Sequence, residues 1–100
     1  MYTEVIIPAP LPKLYSYSVP EELKNEVAPG KRVIVQFGNK KYYTGLLRKI
    51  TNIKPEHETK EIFELLDETP IINDIQFKLW DWIASYYMCN LGDVYKAALP

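Results

Sequence analysis

The sequence predicts an α+β fold, in which a small curled or barrel-like sheet of about five strands is closed by a long and a short C-terminal helix. Up to residue 66, short runs of alternating apolar and polar residues are separated by proline and glycine, as in small all-β units. From residue 72 onward, apolar residues recur at three- and four-residue steps, which is the period of a helix. A hydrophobic content of 47% over 100 residues is enough for one compact core, so we expect a single domain.

The first two predicted strands are separated by a proline-rich crossover. Residues 2–7 are rich in β-branched side chains, and residues 8–12 (PAPLP) follow them. Three prolines remove N–H donors and fix φ, so the crossover cannot continue a central strand. Residues 14–19 then alternate, which predicts a second strand with two different faces. One face carries Tyr15, Tyr17 and Val19, and the other carries Leu14, Ser16 and Ser18.

Two further strands are predicted to form a hairpin. Pro29-Gly30 has the residue types of a type II turn and precedes an alternating run from Arg32 to Phe37. Gly38-Asn39 can supply the positive φ angles of a tight connection to the next run, Tyr43 to Ile50. Gly45 interrupts that run, and a glycine inside a strand often indicates a bulge or the close approach of another backbone.

A polar loop and a fifth strand are predicted before the helices. Residues 51–59 are polar and charged, and we expect them to form a surface loop. Residues 60–66 return to apolar content and predict the fifth strand.

The long helix has both a start signal and an apolar stripe. Asn73 can cap its first turn while the Gln76 side chain reaches back, and Ile72 and Phe77 occupy the positions of a hydrophobic staple. Asn90 to Gly92 is expected to end it, and Asp93 to Leu99 to form the short helix. The predicted buried stripe consists of Ile72, Ile75, Leu79, Trp82, Ile83 and Tyr86. The nearby aromatic residues Trp80, Trp82, Tyr86 and Tyr87 are expected to be core rather than a stacking platform.

Charge is segregated along the chain, although the net charge is only −1. Residues 27–55 contain seven basic side chains and no acidic one, while the residues after Pro55 are mostly acidic. A basic hairpin with aromatic residues is a possible nucleic-acid surface, and Lys40, Lys41 and Arg48 are its candidate contacts to a DNA backbone. The alternative, which charge alone favours, is that these lysines only keep exposed strands soluble and unpaired.

No catalytic or metal-binding pattern is present. His57 is the single histidine and is expected to be a solvated loop residue, while Cys89 is the single cysteine and has no candidate base nearby in sequence. Neither an enzyme activity nor a bound metal is therefore predicted for these 100 residues. No apolar run approaches the roughly 18 residues of a membrane span, so we expect a cytoplasmic protein with no membrane partner.

The order and spacing of several short motifs resemble the N-terminal 3′-end DNA-binding domain of the primosomal protein N′ (PriA) family of replication-restart helicases. The match extends over essentially the whole chain. The motifs are Pro8-Ala9-Pro10-Leu11-Pro12, Tyr15-Ser16-Tyr17, Pro29-Gly30-Lys31-Arg32-Val33, Phe37-Gly38, Gly45, Lys60, Leu65-Leu66-Asp67, Trp82, Ala84, Tyr86-Tyr87, Gly92-Asp93-Val94 and Ala97-Ala98-Leu99-Pro100.

The resemblance implies a pocket for the 3′-terminal nucleotide of a nascent strand at a stalled fork, bound without regard to sequence. The family's pocket residues carry over onto Tyr15, Ser16, Gly38 and Lys60. Such a pocket would be closed on one side, so that it accepts a chain end but leaves no exit for a following phosphate. Two positions depart from the family pattern: Ser16 stands where some members have aspartate, and Gln36 stands where proline is common.

The resemblance also implies a larger context. Residues 1–100 would form a single DNA-binding domain at the N-terminus of a multidomain ATP-dependent 3′–5′ DNA helicase. ATP, Mg and structural Zn would be used only in other domains, and no cofactor is expected in this one. The implied partners are DNA with a free 3′ end, other primosome proteins, and single-stranded DNA-binding protein. Two rival functions stay open: a protein-interaction module within the primosome, and a generic single-stranded DNA binder without preference for ends.

Overall fold

The computed structural model describes residues 1–99, which form one five-stranded antiparallel sheet and two C-terminal helices, so the predicted α+β class is confirmed. The strands lie side by side in the order β2-β1-β4-β3-β5. Pro100, which ends the C-terminal motif, lies outside the described residues. The elements are β1 (Tyr2–Ile6), β2 (Tyr15–Ser18), a 3₁₀ turn (Glu21–Leu23), β3 (Arg32–Gln36), β4 (Tyr42–Thr51), β5 (Glu64–Leu65), α1 (Asp74–Tyr86) and α2 (Leu91–Ala98).

The sheet is curled but not closed into a barrel. The predicted fifth strand, residues 60–66, is reduced to the two residues of β5 because the preceding segment pairs elsewhere. The Ser18 N–H donates a hydrogen bond to the Lys60 carbonyl at 2.9 Å, and the Ile62 N–H donates to the Ser18 carbonyl at 3.0 Å. These two bonds fasten the β2 edge to the segment that leads into β5, without forming a continuous ladder around the sheet.

Two apolar clusters cover the two faces of the sheet. An apolar cluster on each face is expected because successive strand residues point to opposite sides of the sheet, as Val5 and Ile6 do in β1. Burial of each large apolar side chain contributes roughly 1.5–3 kcal/mol. The first cluster includes Val5, Ile7, Tyr17, Val19, Val33, Val35, Leu47 and Ile62, with Tyr15 packed against it. The second cluster lies under the helices and includes Ile6, Leu46, Ile72, Phe77, Trp80, Val94 and Tyr95.

The pairing of β1 with β4 contains a bulge. Glu4 lies opposite Lys49 and Val5 lies opposite Leu47, so Arg48 has no partner in β1. Gly45 was predicted to indicate a bulge or the close approach of another backbone, but the bulge lies at Arg48, and the group that a Cβ at Gly45 would overlap is the Val5 side chain.

The predicted N-terminus of α1 is confirmed, but the predicted buried face is wrong. The Gln76 N–H donates a hydrogen bond to Asn73 Oδ1 at 2.8 Å, and the Asn73 N–H donates to Gln76 Oε1 at 2.8 Å. Ile72 and Phe77 are both buried, as a hydrophobic staple requires. The sheet is small, so α1 buries only the side that carries Phe77 and Trp80. Most of the predicted stripe faces solvent, together with the predicted core residue Tyr87: Ile75, Leu79, Trp82, Tyr86 and Tyr87 are 77%, 53%, 58%, 66% and 69% exposed.

The break between the helices lies earlier than predicted. α1 ends at Tyr86, Met88 adopts a positive φ of 54°, and α2 begins at Leu91. Asn90, expected to help end the long helix, precedes the short one, and its N–H donates to the Asp93 carboxylate at 3.1 Å. Neither helix within residues 1–99 combines the length and the apolar character that a membrane span requires.

Substitution of Gly92 by alanine is expected to lower the free energy of unfolding by about 1–3 kcal/mol or more. A Cβ at Gly92 would overlap the backbone carbonyls of Ile7 and Ala9, and backbone cannot move aside as a flexible side chain can. Urea denaturation measures the change, with Ser85→Ala on the exposed side of α1 as a control that should stay within about 0.5 kcal/mol of the wild type. Equal stabilities of the two variants would contradict the close packing of α2 on the proline crossover.

Candidate nucleic-acid interface

The four predicted pocket residues line one concavity of about 220 Å³. Tyr15 and Ser16 come from β2, Gly38 follows β3, and Lys60 follows the loop of residues 51–59. Residues separated by up to 45 positions in sequence are thus brought together at one edge of the sheet. The complete lining is Tyr15, Ser16, Tyr17, Gln36, Phe37, Gly38, His57, Glu58, Thr59 and Lys60.

A buried tyrosine holds two walls of this concavity together. The Tyr17 hydroxyl donates a hydrogen bond to the Gln36 carbonyl at 2.7 Å, which ties β2 to the end of β3. The Thr3 hydroxyl in turn donates to the Tyr17 carbonyl at 3.1 Å. Burial, with a smaller contribution from Tyr15, raises the pKa of Tyr17 to about 12. The hydroxyl is therefore held in its neutral form, in which it can donate to the carbonyl.

Gly38 leaves open space at the hairpin end of the concavity. Its φ is +73°, a conformation that favours glycine, and the Phe37 N–H closes the turn by donating to the Lys41 carbonyl at 2.9 Å. Lys40, rather than Asn39, is the second turn residue with a positive φ. Among residues 1–99, and apart from Gly38 and its two chain neighbours, no heavy atom lies within 4 Å of the position that a Cβ would take at Gly38. A ligand can therefore approach the Gly38 backbone closely.

Lys60 links the loop side of the concavity to the turn. Its Nζ donates a hydrogen bond to the Gly38 carbonyl at 3.2 Å, and the side chain is exposed. An ammonium group has three donors, so two remain for an incoming anion.

Tyr15 supplies an aromatic wall that is fixed by its neighbours. Its ring packs edge-on against Phe37 with the centroids 4.6 Å apart, and Phe37 packs in the same way on Tyr43 at 6.1 Å. The Lys13 ammonium lies 5.5 Å from the centroid of the Tyr15 ring. The ring is half-buried, so part of it is accessible to a ligand.

Six residues of the lining were not among the predicted site residues: Tyr17, Gln36, Phe37, His57, Glu58 and Thr59. His57, expected to be a solvated loop residue, is exposed but lies at the rim of the concavity, and Glu58 beside it adds a carboxylate. The surrounding loop has no alternation or helical period, so no pattern indicated which of its side chains would face β2.

The size of the concavity limits what it can hold. Its volume is below the roughly 300–1,000 Å³ of typical small-molecule sites, so one nucleotide would fill it. It is also open to solvent, and its walls alone do not form the expected dead end.

The candidate backbone contacts fall in two places. Lys40 and Lys41 are exposed at the hairpin tip beside Gly38. Arg48, the bulged residue, lies instead under α1, where it forms an ion pair with Asp81 at 2.6 Å and its guanidinium lies 4.5 Å from the centroid of the Phe77 ring. Its charge is thus largely neutralised within the protein, and the structure does not bring it together with the other two residues. Among residues 1–99, no three side chains of His, Cys, Asp or Glu lie close enough together to hold a metal ion.

Comparison with known proteins identifies the family of the chain. Residues 4–100 match the family described as the PriA 3′ DNA-binding domain (3′BD). The chain belongs to the PriA 3′BD family. Membership implies that this region is a DNA-binding domain.

Relatives with the name replication restart protein PriA match along most of this 3′BD chain. The protein of Haemophilus influenzae is 36% identical over 97 residues, which cover 96% of the chain and 13% of the relative. That of Chlamydia trachomatis is 31% identical over 105 aligned positions, covering 100% and 14%. That of Bacillus subtilis is 27% identical over 88 residues, covering 86% and 11%. The chain therefore spans only about one seventh of the length of the curated relatives it matches.

Substitution of Tyr17 by phenylalanine is expected to remove a pH dependence from stability. Because the folded-state pKa of Tyr17 is raised from 10.0 to about 12, its contribution is fully present below pH 10 and is lost as the pH rises toward 12. The advantage of the wild type over Tyr17→Phe should therefore shrink by at most about 3 kcal/mol across that window. Denaturant unfolding at several pH values measures it, and a difference independent of pH would contradict the assignment.

Proposed function

We propose that the chain binds the 3′-terminal nucleotide of a nascent DNA strand at stalled replication forks, independently of sequence. In this proposal the chain is the non-catalytic N-terminal domain of an ATP-dependent 3′–5′ DNA helicase that restarts replication. The observation that carries the proposal is that Tyr15, Ser16, Gly38 and Lys60, far apart in sequence, line one small concavity.

Each wall of the concavity has a role that its chemistry supports. The accessible part of the Tyr15 ring can stack on a base or sugar, and such stacking contributes about 1–3 kcal/mol. The open space over Gly38 admits the sugar close to the backbone. The free donors of Lys60 bind the phosphate on the 5′ side of the terminal nucleotide, and the Ser16 hydroxyl can donate or accept one hydrogen bond.

These contacts account for binding without sequence readout. An aromatic face stacks on any base, and phosphate contacts position a strand without reading its sequence. The preference for a chain end over internal nucleotides is supported by the family's description as a 3′ DNA-binding domain, because the concavity itself is open to solvent.

The wider context is part of the same proposal. A helicase of this kind would use ATP, Mg and structural Zn in other domains, with no cofactor in this one. The complete protein would act in the cytoplasm at DNA with a free 3′ end, together with other primosome proteins and single-stranded DNA-binding protein.

Blocking the 3′ end is expected to weaken binding. An oligodeoxynucleotide with a free 3′ hydroxyl should bind more tightly than the same oligonucleotide with a 3′ phosphate, and more tightly than a circularised single strand. Fluorescence anisotropy measures the three affinities. Equal affinity for the two linear ends would refute end binding, and full binding of the circle would favour the generic single-strand binder.

The same assay tests the site directly. Lys60→Ala should lower both total affinity and the preference for the free end, because it removes the charge beside Gly38. Lys78→Ala is the matched control: it removes the same charge from the exposed side of α1, where Lys78 pairs with Asp74 at 3.2 Å. An isotherm for Lys60→Ala that matches the control would remove Lys60 from the site.

The exposed face of α1 favours a second function, docking of a protein partner. Ile75, Leu79, Trp82 and Tyr86 recur at steps of four, three and four residues, so they lie along one side of the helix. The Trp82 and Tyr86 rings stack with their centroids 5.0 Å apart. A contiguous exposed apolar surface of this kind is typical of an interaction site, and the primosome proteins and single-stranded DNA-binding protein are the proposed partners.

Substitution of Trp82 by alanine is expected to weaken protein docking without changing DNA binding. A central aromatic residue of an interface typically contributes at least about 2 kcal/mol, which corresponds to a loss of about thirtyfold in affinity. Titration with purified single-stranded DNA-binding protein and with each primosome protein measures the loss, and Ser85→Ala serves as the control. Unchanged binding of every partner by Trp82→Ala would exclude this face as the docking surface.

A further inference from the structure

A second concavity adjoins the first and is lined mainly by β1, the end of β4 and the loop that follows β4. Its volume is about 260 Å³, and Ser16 belongs to the lining of both. The loop that follows β4 borders both as well: Ile53, Lys54 and Pro55 line the second concavity, and residues 57–60 line the first. The two concavities are thus adjacent, because Ser16 lines both and the same loop borders both. We refer to the two together as the groove, with Ser16 at the junction.

We propose that the second concavity binds the phosphodiester backbone of the nucleotides that precede the DNA 3′ end, through Lys49 and Lys54. The strand would leave the terminal-nucleotide concavity at Lys60, cross Ser16 and continue between these two lysines. This inference rests on the proposed function, because it extends the path of the strand whose last nucleotide occupies the first concavity.

The charges of the second concavity favour an anion. Within residues 1–99, neither Lys49 nor Lys54 is in an ion pair, in contrast to Arg32, which is paired with Asp67, and to Arg48. Glu4 is the one acidic residue in the lining. Two cations against one carboxylate leave a net positive charge at a solvent-exposed surface, which attracts phosphate without a desolvation cost for a buried ion.

The local backbone structure explains why Lys49 and Lys54 both line the second concavity. The bulge at Arg48 shifts the register of β4 so that Lys49 lies opposite Glu4, and Glu4 lies opposite Ser16 in the neighbouring strand. Lys49 is thus placed across β1 from the junction residue. On the loop, the Ile53 N–H donates to the Thr51 hydroxyl at 3.1 Å, and this turn carries the chain from β4 to Lys54.

The junction residue suits the passage of a strand. Ser16 has a short neutral hydroxyl, so it neither blocks the path between the concavities nor repels phosphate. Its hydroxyl can also donate a hydrogen bond to a phosphate oxygen. A carboxylate at the same position would place a negative charge midway along the path.

The hairpin tip offers a different route for the strand. Lys40 and Lys41 are exposed and basic, but neither lines either concavity. The groove is favoured because Lys49 and Lys54 line a concavity that shares Ser16 with the terminal site, whereas Lys40 and Lys41, although they lie in the same turn as Gly38, line neither concavity.

Salt dependence of binding separates the two routes. Affinities of the 100-residue chain for a hexadeoxynucleotide and a dinucleotide, both with a free 3′ hydroxyl, are measured from about 50 to 200 mM salt. Each phosphate contacted on a single strand adds about 0.7 to the slope of log affinity against log salt. The double variant Lys49→Ala, Lys54→Ala should therefore lower the slope for the hexamer by about 1.4, and its affinity on the order of tenfold near 0.1 M salt. The dinucleotide should bind the variant as it binds the wild type.

Three controls decide the outcome. If the double variant binds the hexamer with the slope and affinity of the wild type, the proposal is overturned. An equal loss of affinity for the dinucleotide would also overturn it, since the two lysines would then act on the terminal site or through the overall electrostatic field of the protein. A comparable loss in Lys78→Ala would overturn it for the latter reason. A loss in Lys40→Ala, Lys41→Ala with none in the groove variant would assign the strand to the hairpin.

Failure of the end-binding proposal is distinguishable from failure of this one. A dinucleotide that binds the wild type equally well with a 3′ hydroxyl and with a 3′ phosphate would refute recognition of the terminus. A preserved preference for the hydroxyl with an unchanged hexamer slope in the groove variant would refute the second concavity alone.

Discussion

The candidate site depends on the pair of backbone hydrogen bonds between Ser18 and residues 60–62. They hold the end of a long polar loop against an edge strand that would otherwise have unpaired backbone groups. Because of this attachment, the Lys60 side chain reaches the Gly38 carbonyl across the concavity. The Tyr17 hydroxyl performs the corresponding task between β2 and β3. Neither contact adds a large amount of stability, but together they determine which side chains meet.

Much of the fold could be predicted because, in several elements, local sequence patterns determine the structure and tertiary packing does not override them. Alternation in residues 14–19 correctly separated Tyr17 and Val19 from Leu14, and the capping residues Asn73 and Gln76 identified the start of α1. The buried face of α1 could not be predicted in the same way. Its sequence is apolar on more than one side, and the side that is buried is chosen by the sheet beneath it.

The four pocket positions were predicted from family resemblance rather than from pattern. Tyr15 and Ser16 lie on a regular strand, and Gly38 has a positive φ that favours glycine, so the sequence indicated the local structure at these three positions. The meeting of Lys60 with Gly38 depends on tertiary pairing of the loop and has no local signal. Arg48 illustrates the opposite case. Its position in a basic stretch indicated an exposed charge, but a bulge directs it to Asp81 and Phe77.

The concavity is assembled from three stretches of chain, and this has a thermodynamic consequence. Any molecule seated between β2, the turn at Gly38 and the loop at Lys60 bridges segments that are otherwise joined by a few hydrogen bonds. Ligand binding therefore stabilises the edge of the sheet at β2, since a ligand that binds only the folded chain shifts the folding equilibrium by mass action. Amide protons of β2 and of residues 60–62 would then exchange more slowly in the bound protein than in the free protein.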